Sequence, residues 1–353
     1  MMRQKNLFHT VRQNLLDENT SLVILSLVIS GNLAFLLYKY FNLSQGYWSV
    51  VSIAAVMTAD LSNTFSKMLA RILGTVVGAM YAYLAVHFFA DQQGMLILLL
   101  MVGVFVASII SLQKTAFSYA GIVANITIII IIATSISAGN FLQIALNRTY
   151  EVCLGIIILG IVNLALYSHF KSITNPFTLN SLKALNFNFQ DIQFRKNIIV
   201  TAIKVLLATA LTLVPWFYFQ YPGGFWATIS CFFILEETLA KTQKKALRRF
   251  LAHLFAASFG LIAVLLIADR WWLLCIPLTL GFIVCGYILV HGKEFRNVGN
   301  TVGIALSVML LADPGVQGSI EVILARFLNV IFGISVGILI SSLPFYKINI
   351  QNK

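Results

Sequence analysis

The sequence predicts an all-α, polytopic integral membrane protein of about twelve transmembrane segments, arranged as two parallel six-helix repeats in one chain, a pseudo-dimer. Three observations predict it. Of 353 residues 59% are apolar and only 10% charged, with a mean hydropathy of +0.89, far from the globular norm of about half apolar and a quarter charged. Apolar runs long enough to cross a core of about 30 Å, which takes roughly 20 helical residues, recur along the whole chain. Finally, Gly46-Tyr47-Trp48-Ser49 reappears 178 positions later as Gly224-Phe225-Trp226-Ala227, and Thr64, Lys67, Leu69 and Arg71 reappear as Thr242, Lys245, Leu247 and Arg249. Phe117, Gly121, Arg148 and Gly155 match Phe295, Gly299, Arg326 and Gly333 at the same offset. In so apolar a chain a shared Leu means little, but a shared register of Gly, Trp, Lys and Arg marks a duplication.

The elements follow in order. In residues 1–20, Leu7, Phe8, Val11, Leu15 and Leu16 recur at helical spacing among charges, as in an amphipathic segment on the inner interface. The first apolar run, 21–41, lacks a small-residue cleavage site and reads as a retained helix. The second, 48–58, is short: about eleven residues at 1.5 Å rise cover only roughly 17 Å. Either its backbone breaks inside the membrane, beside protein or a water-filled cavity, or the helix continues through Thr58-Ala59-Asp60-Leu61-Ser62 and projects from the bilayer. Runs at 72–89, 93–112, 116–137 and 141–169 complete the first repeat, 21–170. The polar stretch 171–196, containing Asn175, Pro176, Asn180, Asn186, Asn188, Gln190 and Asp191, is the cytoplasmic linker. The second repeat, 197–345, holds runs at 197–219, 226–235 (again short), 243–267, 271–290, 295–312 and 318–343, before a tail, 346–353. With an even number of crossings per repeat, both halves enter the membrane in the same direction, related by an axis along its normal.

Lys and Arg are retained on the cytoplasmic side. Placing both termini there leaves only Lys39, Arg148, Arg270 and Arg326 toward the outside, and puts Trp48, Trp216, Trp226, Trp271 and Trp272 at the outer interface. The net charge of +12 is spread over short loops, so the bilayer, not nucleic acid, is the expected partner. Cys153, Cys231, Cys275 and Cys285 have no metal-ligand spacing and read as core residues. No Ser-His-Asp ordering, Walker A loop or Rossmann fingerprint occurs, so neither an enzyme, a cofactor nor a metal is expected.

Three groups of residues carry the functional reading. Thr64, Lys67, Arg71 and Thr75, and in the second half Thr242, Lys245, Arg249 and His253, fall at helical spacing on one face, near a helix start that favours anions; they are also placed to act only as topology signals that snorkel to headgroups. Arg148 and Arg326 lie inside the last helix of each half, where an arginine costs roughly 2.5 to 3.5 kcal/mol on insertion scales and so faces the bundle or a cavity. Glu151 is three residues from Arg148 and is placed to neutralise it; its counterpart is Asn329, leaving Arg326 freer to meet an anion. For proton coupling the candidates are Asp60, Glu151, Glu236, Glu237 and His253, each present in one half only, with His253 read first as a packing residue. Lys204 lies close enough to the inner face to snorkel.

The segments YWSVVSIAAVMT and KMLARILGTVVGA, from Tyr47 through Lys67, Arg71, Gly74, Thr75 and Gly78, resemble the fusaric acid resistance (FUSC) family, also called the aromatic acid exporter family. FWATISCFFILEE and KALRRFLAHLFAA form a weaker second copy, with Ala252 and His253 where the family motif has Gly and Thr, so the resemblance does not imply an equal role for the two halves. The resemblance spans about residues 20–345. It implies a bacterial inner-membrane protein of six-helix halves that exports aromatic or other organic carboxylic acids by proton exchange, with small organic anions as ligands and a homo-oligomer or efflux accessory proteins as partners. Larger family members carry a big cytoplasmic region, where this chain has only 171–196. The family also looks related to plant malate channels, so a passive organic-anion channel is the alternative, followed by a non-transporting scaffold. The loop motif of major facilitator transporters is absent from Ala59–Leu69. On this reading Lys67, Arg71, Lys245, Arg249, Arg148, Arg326, Trp48 and Trp226 line the substrate pathway.

Overall fold

The computed structural model describes residues 17–113, 115, 117–138, 141–167, 194–267, 270–312 and 316–344; most of the amphipathic segment and the linker, and all of the tail, lie outside these. Among the described residues there are twelve α-helices and no strand: α1 (Glu18–Tyr40), α2 (Tyr47–Val56), α3 (Leu61–Phe89), α4 (Gln93–Ser111), α5 (Ser118–Ala138), α6 (Phe141–Tyr167), α7 (Lys196–Phe219), α8 (Phe225–Ile234), α9 (Leu239–Ile267), α10 (Cys275–His291), α11 (Arg296–Leu311) and α12 (Val316–Ser342). Among the described residues nine helical segments are long and apolar enough to cross a membrane, and the chain is a membrane protein. That is fewer than the apolar runs suggested, because α2 and α8 are ten residues each and α11 is sixteen, or about 24 Å at 1.5 Å per residue. The outward face of α3 carries Val77, Met80, Leu84 and Phe88, all exposed, an apolar stripe at helical spacing that suits lipid.

Local chemistry sets the breaks. Asp17 and Asp60 cap α1 and α3 by accepting the N–H of Thr20 and Ser62, leaving fewer orphan donors in each first turn. Asn42 and Gln220 both follow their helices in the left-handed region, at φ 49° and 48°, the turn that ends a helix and redirects the chain. Between α2 and α3 the backbone is extended at Met57, so the helix ends at Val56 instead of running on through Ser62. The same happens at Leu235 after α8. The freed groups are recaptured within the bundle. Thr58 donates its N–H to Thr64 Oγ1 at 3.0 Å and Glu236 to Thr242 Oγ1 at 3.1 Å. From α11, Asn300 Nδ2 donates to the carbonyls of Ala54 and Met57 at 2.7 and 2.8 Å.

Packing crosses between the halves of the chain. α1 lies along α10, and α7 along α4; Asn32 bonds Thr279 at 2.8 Å and Thr20 bonds His291 at 2.9 Å. One buried cluster brings together Trp48 and Val51 of α2, Ile130 of α5, Trp226 and Ile229 of α8, and Val308 of α11. Its members form three pairs 178 positions apart, so each apolar residue and its repeat partner meet in one core.

Candidate functional site

That central cluster seats the arginines. Trp48 and Trp226 stack with ring centroids 5.3 Å apart and planes at 25°. Arg148 Cζ lies 3.5 Å from the Trp48 ring centre, and Arg326 Cζ 3.6 Å from that of Trp226. The tryptophans therefore do not face headgroups, as the interface reading had them; they are 2% and 8% exposed, whereas Trp271 and Trp272 are exposed. The matched glycines allow this approach. A Cβ on Gly155 would collide with the Ser49 carbonyl oxygen, and one on Gly333 with that of Ala227, so only glycine lets α6 and α12 press their arginines onto α2 and α8.

The arginines are only partly satisfied. Arg148 and Arg326 are 4% and 2% exposed, and Nε and Nη1 of each lack a hydrogen-bond partner. No ion pair among the described residues includes either. Glu151 does not pair with Arg148 directly. Its Oε1 accepts the Gln45 N–H at 3.1 Å, and Gln45 Oε1 accepts the Trp48 indole N–H at 3.2 Å. Asn329 does the equivalent work in the second half by donating to the Pro222 carbonyl at 2.9 Å. A desolvated cation–π contact contributes about 2 kcal/mol, while an unpaired buried charge costs several. An anion meeting the free guanidinium edges would close that gap.

The two cationic stripes differ. In the first half Arg71 is buried, and its Nη1 donates to Tyr119 Oη at 3.2 Å while Lys67 Nζ sits 5.6 Å from the same ring. In the second, Arg249 donates to Ser230 Oγ at 3.1 Å and lies 4.9 Å from the Phe233 ring; Lys245 pairs with Glu236 at 2.5 Å. His253 is buried with Nδ1 2.9 Å from the Arg249 carbonyl, as a packing residue would be, although its Nε2 has no partner.

The acidic candidates separate by burial. Asp60 is an exposed helix cap that also accepts from Asn63 at 2.7 Å. Glu237, also exposed, accepts from Asn197 at 2.5 Å and pairs with Lys241 at 3.6 Å. Lys204 is buried and donates to the Glu237 carbonyl at 3.4 Å. Glu151 alone of the five carries a deeply buried carboxylate, 1% exposed, and its Oε2 has no partner.

Sequence reasoning missed Gln45, Tyr119 and Asn300. A signal for Asn300 was present, since this amide stands where the first half has the apolar Ile122; Gln45 and Tyr119 carry no such mark. Near the α2–α3 break a cavity of about 490 Å³ opens between α3 and α11. A family model described as fusaric acid resistance protein-like matches residues 33–162 and 206–340. No curated protein and no solved structure matches.

Proposed function

The chain belongs to the fusaric acid resistance protein-like family, and we propose that it is a membrane transporter of organic anions, aromatic carboxylates foremost. The observation that carries this reading is the pair of buried arginines, without an ion pair among the described residues and stacked on Trp48 and Trp226. A carboxylate complements the free guanidinium N–H groups, and an aromatic ring attached to it complements the indole faces.

The arrangement we infer is a pseudo-dimer of twelve segments in a bacterial inner membrane, both termini cytoplasmic. Helix starts that recur 178 positions apart (Glu18 and Lys196, Tyr47 and Phe225, Leu61 and Leu239) support it. So do broken helices at matching places, which in transporters mark binding sites. Lys67 and Arg71 draw the anion from the cytoplasm, with Arg249 in the matching position; Arg148 and Arg326 receive it, and export proceeds by proton exchange. Glu151, buried and half-satisfied beside the Trp48 support, is the coupling carboxylate in this reading.

Reconstitution tests it. The purified chain in liposomes should move labelled benzoate, faster with an imposed pH gradient; Arg148→Gln, Arg326→Gln and Arg249→Gln should each lower flux at least about tenfold, the effect of about 1.4 kcal/mol. Glu151→Gln should remove the response to pH. Flux indifferent to the pH gradient would identify a passive channel. No flux of any tested acid identifies a scaffold and sinks the proposal.

A further inference from the structure

The cavity at the α2–α3 break is built from both halves of the chain. Its wall includes Asn63 and Lys67 of α3, Tyr119 of α5, and Arg296, Asn297 and Asn300 of α11, with Arg71 just behind Tyr119. Lys67, Arg71 and Arg296 enter no ion pair among the described residues. Asp60, an acid on the same wall, is engaged as the cap of α3 by Ser62 and Asn63. Two cations, Lys67 and Arg296, thus border a space whose single carboxylate is already occupied, with Arg71 behind the wall.

The corresponding face of the second half is filled differently. Glu236 and Glu237 stand where the first half has Thr58 and Ala59, and Lys241, Lys244 and Arg248 where it has Asn63, Ser66 and Ala70. Each of those cations already holds an acid. Lys245 pairs with Glu236 at 2.5 Å, Lys241 with Glu237 at 3.6 Å, and Lys244 and Arg248 with Glu294 at 2.7 and 3.2 Å. The net charge of the two faces is similar; the availability of their donors is not. A free carboxylate arriving at Lys245 competes with a tethered one at an effective concentration of roughly millimolar or more. At Lys67 and Arg296 it has no such competitor.

We propose that the α3–α5–α11 cavity is a docking vestibule for small organic carboxylates, and that docking is one-sided because the second half answers its own cations with Glu236, Glu237 and Glu294. Its purpose rests on the transport reading, but its test does not require transport. A thiol placed by Ser66→Cys reports on the vestibule, and one placed by Thr238→Cys on the corresponding junction, each above the rate of the chain with its four native cysteines. At Ser66→Cys an anionic methanethiosulfonate should react several-fold faster than a cationic one. Because a local positive potential speeds thiolate formation for both reagents alike, their ratio isolates attraction of the reagent itself. Lys67→Gln with Arg296→Gln should bring the ratio toward one, raised salt should do the same, and Lys67→Arg with Arg296→Lys should preserve it in a chain that folds. Millimolar benzoate should slow modification at Ser66→Cys and leave Thr238→Cys unaffected until Glu236→Gln and Glu237→Gln are added. A ratio of one or less, a ratio indifferent to the glutamines, absence of benzoate protection at Ser66→Cys, or equal protection at both thiols overturns the proposal. If the vestibule passes while labelled benzoate does not cross liposomes, only the transport reading falls.

Discussion

A buried guanidinium resting on an indole is stable only if the ring and the remaining donors together replace the water it lost. At Arg148 and Arg326 the ring is present and part of the donor set is not, so these side chains cost stability in the absence of a ligand. Replacing even a buried ion pair by apolar residues of similar volume is often neutral or stabilising by about 1–4 kcal/mol, and a buried cation outside any ion pair has less Coulombic attraction to lose. Arg148→Met and Arg326→Met should therefore keep or raise the thermal midpoint in detergent while abolishing anion flux; a large fall in midpoint would mark the arginines as scaffold. The glycines carry the opposite prediction. Gly155→Val and Gly333→Val drive a side chain into a carbonyl of the neighbouring helix, and overpacking of this kind costs about 1–3 kcal/mol or more, readable as a lower midpoint. A midpoint equal to wild type would show that α6 and α12 can retreat. At this scale the 178-residue register marked which residues matter, because Trp, Arg and Gly resist drift where Leu and Ile interchange. It could not mark Gln45 or Tyr119, which are tied to Glu151 and Arg71, 106 and 48 residues away in sequence.

The elements that define the site are two helices that stop early. The sequence left two fates open for the second segment, since a ten-residue apolar stretch has the same composition whether it breaks or runs on. The break is decided by groups that receive the exposed backbone, and for α2 the main one is Asn300 on α11. Asn300→Ala leaves two buried carbonyls without that donor, an expected loss of about 1–3 kcal/mol, measured as a reduced midpoint; Ile122→Ala, at the matching place in α5, should lack this hydrogen-bond component. The ion pairs of Lys244 and Arg248 with Glu294 tie α9 to the α10–α11 turn. The hydrogen bond from Lys244, then the charges of Lys244 and Arg248, hold the Glu294 carboxyl below the usual carboxylate range. A depressed folded-state pKa contributes stability above the unfolded value and loses it as pH falls through the folded one. Proteolytic nicking of the α10–α11 turn should thus stay constant at neutral pH and increase only in acid; a rise already between pH 7 and 6 would contradict the assignment. Glu294→Gln should nick readily at every pH.

Across the whole molecule, the halves are completed by each other. α1 rests on α10, α7 on α4, and the central core takes paired residues from α2, α5, α8 and α11. Residues 1–183 and 184–353 expressed as separate chains should accordingly assemble when made together and fail to accumulate when made alone; a stable, monodisperse single half would show that the cross-packing is dispensable. Composition by itself determined that this is a helical membrane protein, because apolar runs of that length have no other favourable solvent, and the repeat register nominated its arginines and tryptophans. Tertiary structure alone decided that the tryptophans face each other instead of the headgroups, that Glu151 supports Gln45 instead of Arg148, and that one cationic face is open while its counterpart is filled. Those outcomes depend on which side chains meet across helices more than a hundred residues apart, and no local pattern of hydrophobicity or charge encodes that meeting.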